Sequence, residues 1–206
     1  MTPADLPESS VPVPPSAPAH TALQEGLRRV VHAGSGLLGL VAIGLPGGGG
    51  DVLFGVLVVL ALSLEAARRV SPAVQRLVLG TGRSLLRPEE HRGLSGPTVL
   101  ACGYALAWWI FAAPVAHSAV LVTALADPAA ALVGRTFGGG ARKSWLGSAS
   151  CAVVAALVLA AVGVPAPAGL ATACVAAAAE RVPWSGADNV LLPLSVGATL
   201  TLLGSG

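Results

Sequence analysis

Apolar residues along this chain come in long blocks, and polar residues are confined to the short gaps between them. A helix that crosses a membrane needs about 20 mostly apolar residues, with about 17 as a working minimum. Seven segments meet that length, at 30–46, 51–67, 97–113, 115–134, 146–163, 166–182 and 188–204. They are separated by GGGG at 47–50, by Pro114 and by the Pro165 and Pro167 region, where a chain turns tightly. The pattern predicts an all-α, polytopic membrane bundle of about seven helices.

Composition sharpens this picture. Of 206 residues 54% are hydrophobic and 11% charged, against roughly 25% charged in soluble domains, and the mean hydropathy is +0.76. Aromatics are only 4% of the chain, so its helices are expected to pack closely through Ala and Gly. Cys102, Cys151 and Cys174 lie in apolar runs, odd in number and without metal-ligand spacing, and read as small hydrophobes. Positions 1–20 are rich in Pro, Ser and Ala with no periodicity, which predicts a disordered tail to about residue 22 and one domain over 23–206. The tail lacks the basic start and adjoining apolar core of a signal peptide.

The basic residues set an orientation. Arg28 and Arg29 precede the first segment, Arg68, Arg69, Arg76, Arg83, Arg87 and Arg92 follow the second, Arg135, Arg142 and Lys143 follow the fourth, and Arg181 follows the sixth. Alternating seven crossings puts all twelve on one side, the cytoplasmic side under the positive-inside rule. The N-terminus is then cytoplasmic and the C-terminus outside. Within 70–92 apolar clusters alternate with Arg, as in one or two short helices lying on a membrane surface.

Acids gather at the same level. Glu65 precedes Arg68 by three residues, Glu180 adjoins Arg181, and Asp188 opens the last segment. Asp127 lies eight residues before Arg135, about 12 Å deeper in a helix. A carboxylate there costs about 2.5–3.5 kcal/mol on insertion scales, so a partner, water or a metal is required. After it comes GRTFGGGARKS, a glycine-rich loop with three cations, in which Ser144 is placed to cap the next helix. Backbone N–H groups in such loops and helix starts favour phosphate oxygens. Acids for a divalent metal beside cations for phosphates point to a nucleotide site. It is not a Walker loop, since Arg142 stands where Gly precedes Lys-Ser, nor is GGG a dinucleotide fingerprint.

Four blocks together give the chain its resemblance to a known family: EGLRRVVH with Glu25, Arg28, Arg29 and His32; EAARR followed by Pro72; ADPAAALVGRTFG continuing to KSWLGS; and Glu180 followed by DNVLLP with Asp188, Asn189 and Pro193. The chain resembles the CTP-dependent polyprenol kinases, which include dolichol, phytol and CTP-dependent diacylglycerol kinases, and among them the smaller bacterial type. Ala126 departs from the Gly usual before the Asp. The resemblance implies transfer of the terminal phosphate of CTP, with ATP the alternative, to the hydroxyl of a bilayer lipid, and a Mg²⁺ ion or another divalent cation. It implies Asp127 and Asp188 as metal ligands, with Asn189 and Glu180 also catalytic. Arg135, Gly138, Gly139, Gly140, Lys143 and Ser144 would hold phosphates, and Glu65, Arg68, Arg28 and His32 would support them.

Two rivals remain at this stage. A phosphatidate cytidylyltransferase would share the nucleotide and lipid, but its Lys-Asp and His-Gly-Gly-x-x-Asp-Arg block is missing, and His117 has no such context. A transporter or non-catalytic membrane protein would also place acids in a membrane, yet no internal repeat is visible. Nucleic acid is not an expected partner. Topology gives the first prediction: reporters fused within 68–96 and 135–145 read cytoplasmic and a C-terminal reporter reads outside. A cytoplasmic C-terminus would overturn the seven-crossing count.

Overall fold

The structure is a computed structural model that describes residues 22–81, 93–138, 143–182 and 186–205, apart from the side chains of 22–25 and 79–81. The N-terminal tail and positions 82–92 therefore lie outside the described residues. Among the described residues every regular element is a helix: α1 (Ala22–Gly34), α2 (Leu37–Gly44), α3 (Gly49–Val70), α4 (Pro72–Thr81), α5 (Gly96–Ile110), α6 (Ala113–Phe137), α7 (Trp145–Ala161), α8 (Ala166–Glu180) and α9 (Asp188–Leu202).

Six of the seven apolar segments are each one helix. The segment 30–46 is instead split between the end of α1 and α2. Gly34, Ser35 and Gly36 interrupt the apolar run as helix breakers, and tertiary packing holds the break. The Ser35 hydroxyl donates to the His32 carbonyl and pairs with the Tyr104 hydroxyl at 3.0 Å. A Cβ on Gly36 would lie 2.9 Å from the Ala124 Cβ, so only glycine lets the break approach α6 this closely. The helix expected at the start of 70–92 is α4.

Local signals place the helix ends. Pro97, Pro114 and Pro167 occupy first turns, where no backbone donor is needed. Ser144 caps α7 by accepting a hydrogen bond from the Gly147 N–H at 3.0 Å. Gly163, at φ +85°, takes the left-handed turn that ends α7.

Helix α6 is the hub, packed against α1, α2, α5, α7 and α9. One core group on α5 to α9 is largely alanine and valine around Cys151, Leu159, Leu192 and Leu200. A second joins α2, α3, α5 and α6 through Phe54, Tyr104 and Trp108, with the Phe54 and Trp108 rings 5.0 Å apart. Helices α3 and α6, of 22 and 25 residues, are long and apolar enough to cross a membrane. Helices α5, α7, α8 and α9 are apolar but run to 15–17 residues, about 22–26 Å at about 1.5 Å per residue.

Close packing makes particular glycines indispensable. A Cβ on Gly103 of α5 would lie 2.1 Å from the Asn189 carbonyl oxygen, whereas one on Gly55 of α3 would meet only Trp109 at 3.8 Å. Gly103→Ala must push the start of α9 aside, and we expect a loss of about 1–3 kcal/mol. Gly55→Ala should be neutral or gain up to about 1 kcal/mol from helix propensity. Thermal unfolding of the two purified variants checks this; equal melting temperatures would contradict the close α5–α9 approach.

Candidate functional site

A chain of contacts brings six helix ends together. Glu65, near the end of α3, is buried and accepts hydrogen bonds from Arg68 Nε at 3.0 Å, from Arg69 Nε and Nη2 at 3.1 and 2.8 Å, and from the Ser95 N–H at 3.4 Å. Arg68 Nη2 also donates to Glu65 and, at 2.6 Å, to the Gly93 carbonyl. These bonds clamp the end of α3 to the start of α5. Asn189 Nδ2 donates to the Gly96 carbonyl at 3.3 Å, tying α9 to α5. At the end of α6, a Cβ on Gly138 would lie 2.5 Å from both side-chain atoms of Ser144, so glycine is required there for proximity.

Lys143 forms the centre of a first charge group. Its Nζ donates to Glu180 Oε1 at 2.8 Å and to Asp188 Oδ2 at 3.1 Å, joining the entry to α7, the last residue of α8 and the first of α9. The Ser148 hydroxyl donates to Glu180 Oε2 at 3.1 Å, and the Asn189 N–H to Asp188 Oδ1 at 3.1 Å. Burial works to lower the Lys143 pKa, but Asp188 and then Glu180 outweigh it and hold it above its ordinary value. The ammonium is therefore charged. Beside it, the Arg181 guanidinium stacks 3.9 Å from the centre of the exposed Trp145 ring.

A second group surrounds Asp127. His32 Nδ1 lies 3.7 Å from Asp127 Oδ2. These two side chains line a small cavity of about 30 Å³ with Arg28, Arg29 and Arg135. With three arginines and one carboxylate among its lining residues, the cavity has the composition of a place for anionic oxygens, which arginine binds in bidentate fashion. The two groups are neighbours: the Cys151 thiol on α7 is within electrostatic reach of Glu180, Asp127 and Lys143, and His32 within reach of Asp188.

The predicted residues thus divide. Arg28, His32, Asp127 and Arg135 meet in one cavity, Lys143, Glu180 and Asp188 in one ion group, and Glu65 with Arg68 in a clamp between helices. Ser144 and Gly138 join the ends of α6 and α7. Gly139, Gly140 and Arg142 lie outside the described residues. Among the described residues no three His, Cys, Asp or Glu side chains cluster as metal ligands do, and Asp127 and Asp188 stand in different charge groups. Three contributors were not singled out from sequence as site residues: Arg29, Arg69 and Ser148. Helical spacing could have found two of them, since Arg69 is four residues from Glu65 and Ser148 four from Ser144. No protein-family model, curated protein or solved structure matches the chain.

The Lys143 group makes a stability prediction. Glu180 and Asp188 keep 7% and 16% of their side-chain exposure, so removing the ammonium leaves two poorly solvated carboxylates. Lys143→Met should cost about 3–5 kcal/mol, and adding Glu180→Gln should restore part of it. Additive losses in the double variant would show that the pair is not coupled.

Proposed function

We propose that this chain is a multi-pass membrane lipid kinase. It transfers the terminal phosphate of a nucleotide, CTP in the family it resembles and ATP as the alternative, to the hydroxyl of a lipid alcohol of the polyprenol, phytol or diacylglycerol kind. The observation that carries this reading is the small cavity that Arg28, Arg29 and Arg135 line together with Asp127 and His32, next to the Lys143 group. Membrane placement is supported by α3 and α6 and by the apolar face that α3 leaves uncovered, where Val52, Val59 and Leu60 are 61–67% exposed. A patch of that kind suits lipid.

Phosphoryl transfer asks a protein chiefly to position the reactants and to stabilise charge on phosphate oxygens. In this reading Arg28, Arg29 and Arg135 grip the transferred phosphate. Lys143, Ser144 and the glycine-rich loop serve the remaining phosphates. The lipid hydroxyl oxygen bonds to the terminal phosphorus as the phosphorus–oxygen bond to the nucleoside diphosphate breaks, and His32, positioned by Asp127, receives the hydroxyl proton. A divalent cation suits Glu180 and Asp188, whose carboxylates already converge on one positive centre, with Asp127 as a further candidate ligand. Such an ion supplies neutralisation of phosphate charge.

Purified protein incubated with labelled CTP, Mg²⁺ and lipid alcohols is expected to release CDP together with a phosphorylated lipid. Pyrophosphate release would make it a cytidylyltransferase, and no nucleotide turnover with any lipid or nucleotide would overturn the enzyme reading. Asp127→Asn should lower CDP release about 100-fold or more while the helical circular dichroism is retained. Near-parental activity in that variant would remove Asp127 from the mechanism.

A further inference from the structure

Helix α1 carries its polarity on the wrong side for water. Arg28, Arg29 and His32 line the small cavity beside α6, whereas Leu27, Val30 and Val31 are 47–68% exposed. A surface helix of a soluble protein does the reverse and turns its apolar stripe to the core. The helix packs chiefly on α6, and none of its described side chains is fully buried. Its last turns are held where His32 lies beside Asp127 and where Ser35, just after the helix, pairs with Tyr104. Its outer face is uncovered.

The exposed stripe does not stop at the break. Leu27, Val30, Gly34, Leu37 and Val41 are all exposed, at alternating steps of three and four residues, the spacing of one helix face. The stripe therefore runs past Ser35 and Gly36 into α2, a helix with no polar residue. On the opposite side Arg28 and His32 give way to Gly36, Gly39 and Ala42, which are buried. Helix α2 packs on α3 and α6, the two helices long and apolar enough to cross a membrane. The outer face of α1 thus continues the outer face of a helix seated on that pair. The apolar segment in the sequence begins at residue 30, yet the stripe already includes Leu27. Hydrocarbon suits such a surface better than water does.

We infer that α1 is a bilayer-seated roof for the anion cavity. Its apolar face rests on lipid hydrocarbon, and that seat holds Arg28, Arg29 and His32 at the cavity they line with Asp127 and Arg135. Amphipathic helices bind membranes through such faces; here the polar face serves the protein instead of the headgroups. The cavity is complete only with lipid in place, and anions bind more weakly when α1 is unseated. The inference rests on the membrane reading of the chain but not on phosphoryl transfer.

Two readouts test it. Full-length protein carrying Cys102→Ala and Cys174→Ala is labelled with bimane through Leu27→Cys, Val30→Cys or, on α3, Val59→Cys, and placed in nanodiscs of plain or dibrominated phosphatidylcholine. All three labels should be quenched by the brominated lipid and shielded from iodide in the water. Quenching at 59 but not at both 27 and 30 would overturn the inference and leave the membrane reading standing, with iodide quenching then showing a face in water and no quenching a face covered by protein. No lipid quenching at any of the three would overturn both. The second readout is binding of inorganic phosphate to the unlabelled protein in nanodiscs. Leu27→Ser and, separately, Val30→Asp should weaken it roughly tenfold, as when the binding-competent arrangement falls to about a tenth of the molecules. Leu157→Ser, on an exposed face of α7, should leave it unchanged. A parent protein that binds no phosphate, or equal affinity in all three variants, would overturn the roof.

Discussion

An ammonium group shared by two carboxylates fixes the geometry on which the rest of the site depends. Lys143 stands just ahead of α7, Glu180 ends α8 and Asp188 begins α9. None of these charges could be left poorly solvated alone, because an unpaired ion loses far more in desolvation than an ordinary hydrogen bond returns. Holding them together therefore holds three helix ends at one level. That level carries further: Asn189, next to Asp188, reaches the first residue of α5, and Ser95 before α5 reaches Glu65 of α3. Polar groups at the end of an otherwise apolar bundle act as its registration marks.

Above that end, small residues do the work that large side chains do in soluble cores. Ala, Val and Gly on α6 allow five helices to approach it, and where two backbones nearly touch, as at Gly103 and Asn189, a methyl group is excluded. In the proposed membrane setting dispersion between closely fitted surfaces would carry such packing, since lipid tails remove the hydrophobic drive between helices. Larger side chains concentrate at Phe54, Tyr104 and Trp108. The same region holds an apolar cavity of about 250 Å³ lined by Phe54 and Tyr104, since rings cannot close against each other as tightly as alanine faces can.

Legibility in the sequence followed the range of the interaction. Six helices could be read from apolar runs, and Ser144 as a cap from its position, because both depend on near neighbours. The Glu65–Arg68–Arg69 clamp has helical spacing and was visible in outline. The split at Ser35 and Gly36 was missed because the apolar runs on either side outweigh the Gly34-Ser35-Gly36 breaker, and the contacts that hold it come from Tyr104 and Ala124 on other helices. The same holds for Lys143, whose partners lie 37 and 45 residues away. The sequence pattern expects these residues on one side of the chain's topology; only packing decides which carboxylate meets which basic group, and it sends Asp127 to His32, in a cavity lined also by three arginines, and Asp188 to Lys143.

Lys143 now has two duties that cannot be met at once. It neutralises Glu180 and Asp188 in the structure, and the proposed reaction asks it to meet phosphate oxygens. Turning the ammonium toward a nucleotide would leave two carboxylates sharing a small, poorly solvated space, a state that like charges resist. The acids then need another positive centre, and a divalent cation arriving with the nucleotide answers that need with oxygen ligands already converging. Binding of nucleotide and of cation would be linked through one side chain, each favouring the other by the same free energy. An arginine at position 143, planar and larger, could bridge the acids less compactly than lysine, so the linkage should weaken in Lys143→Arg even where phosphate binding persists.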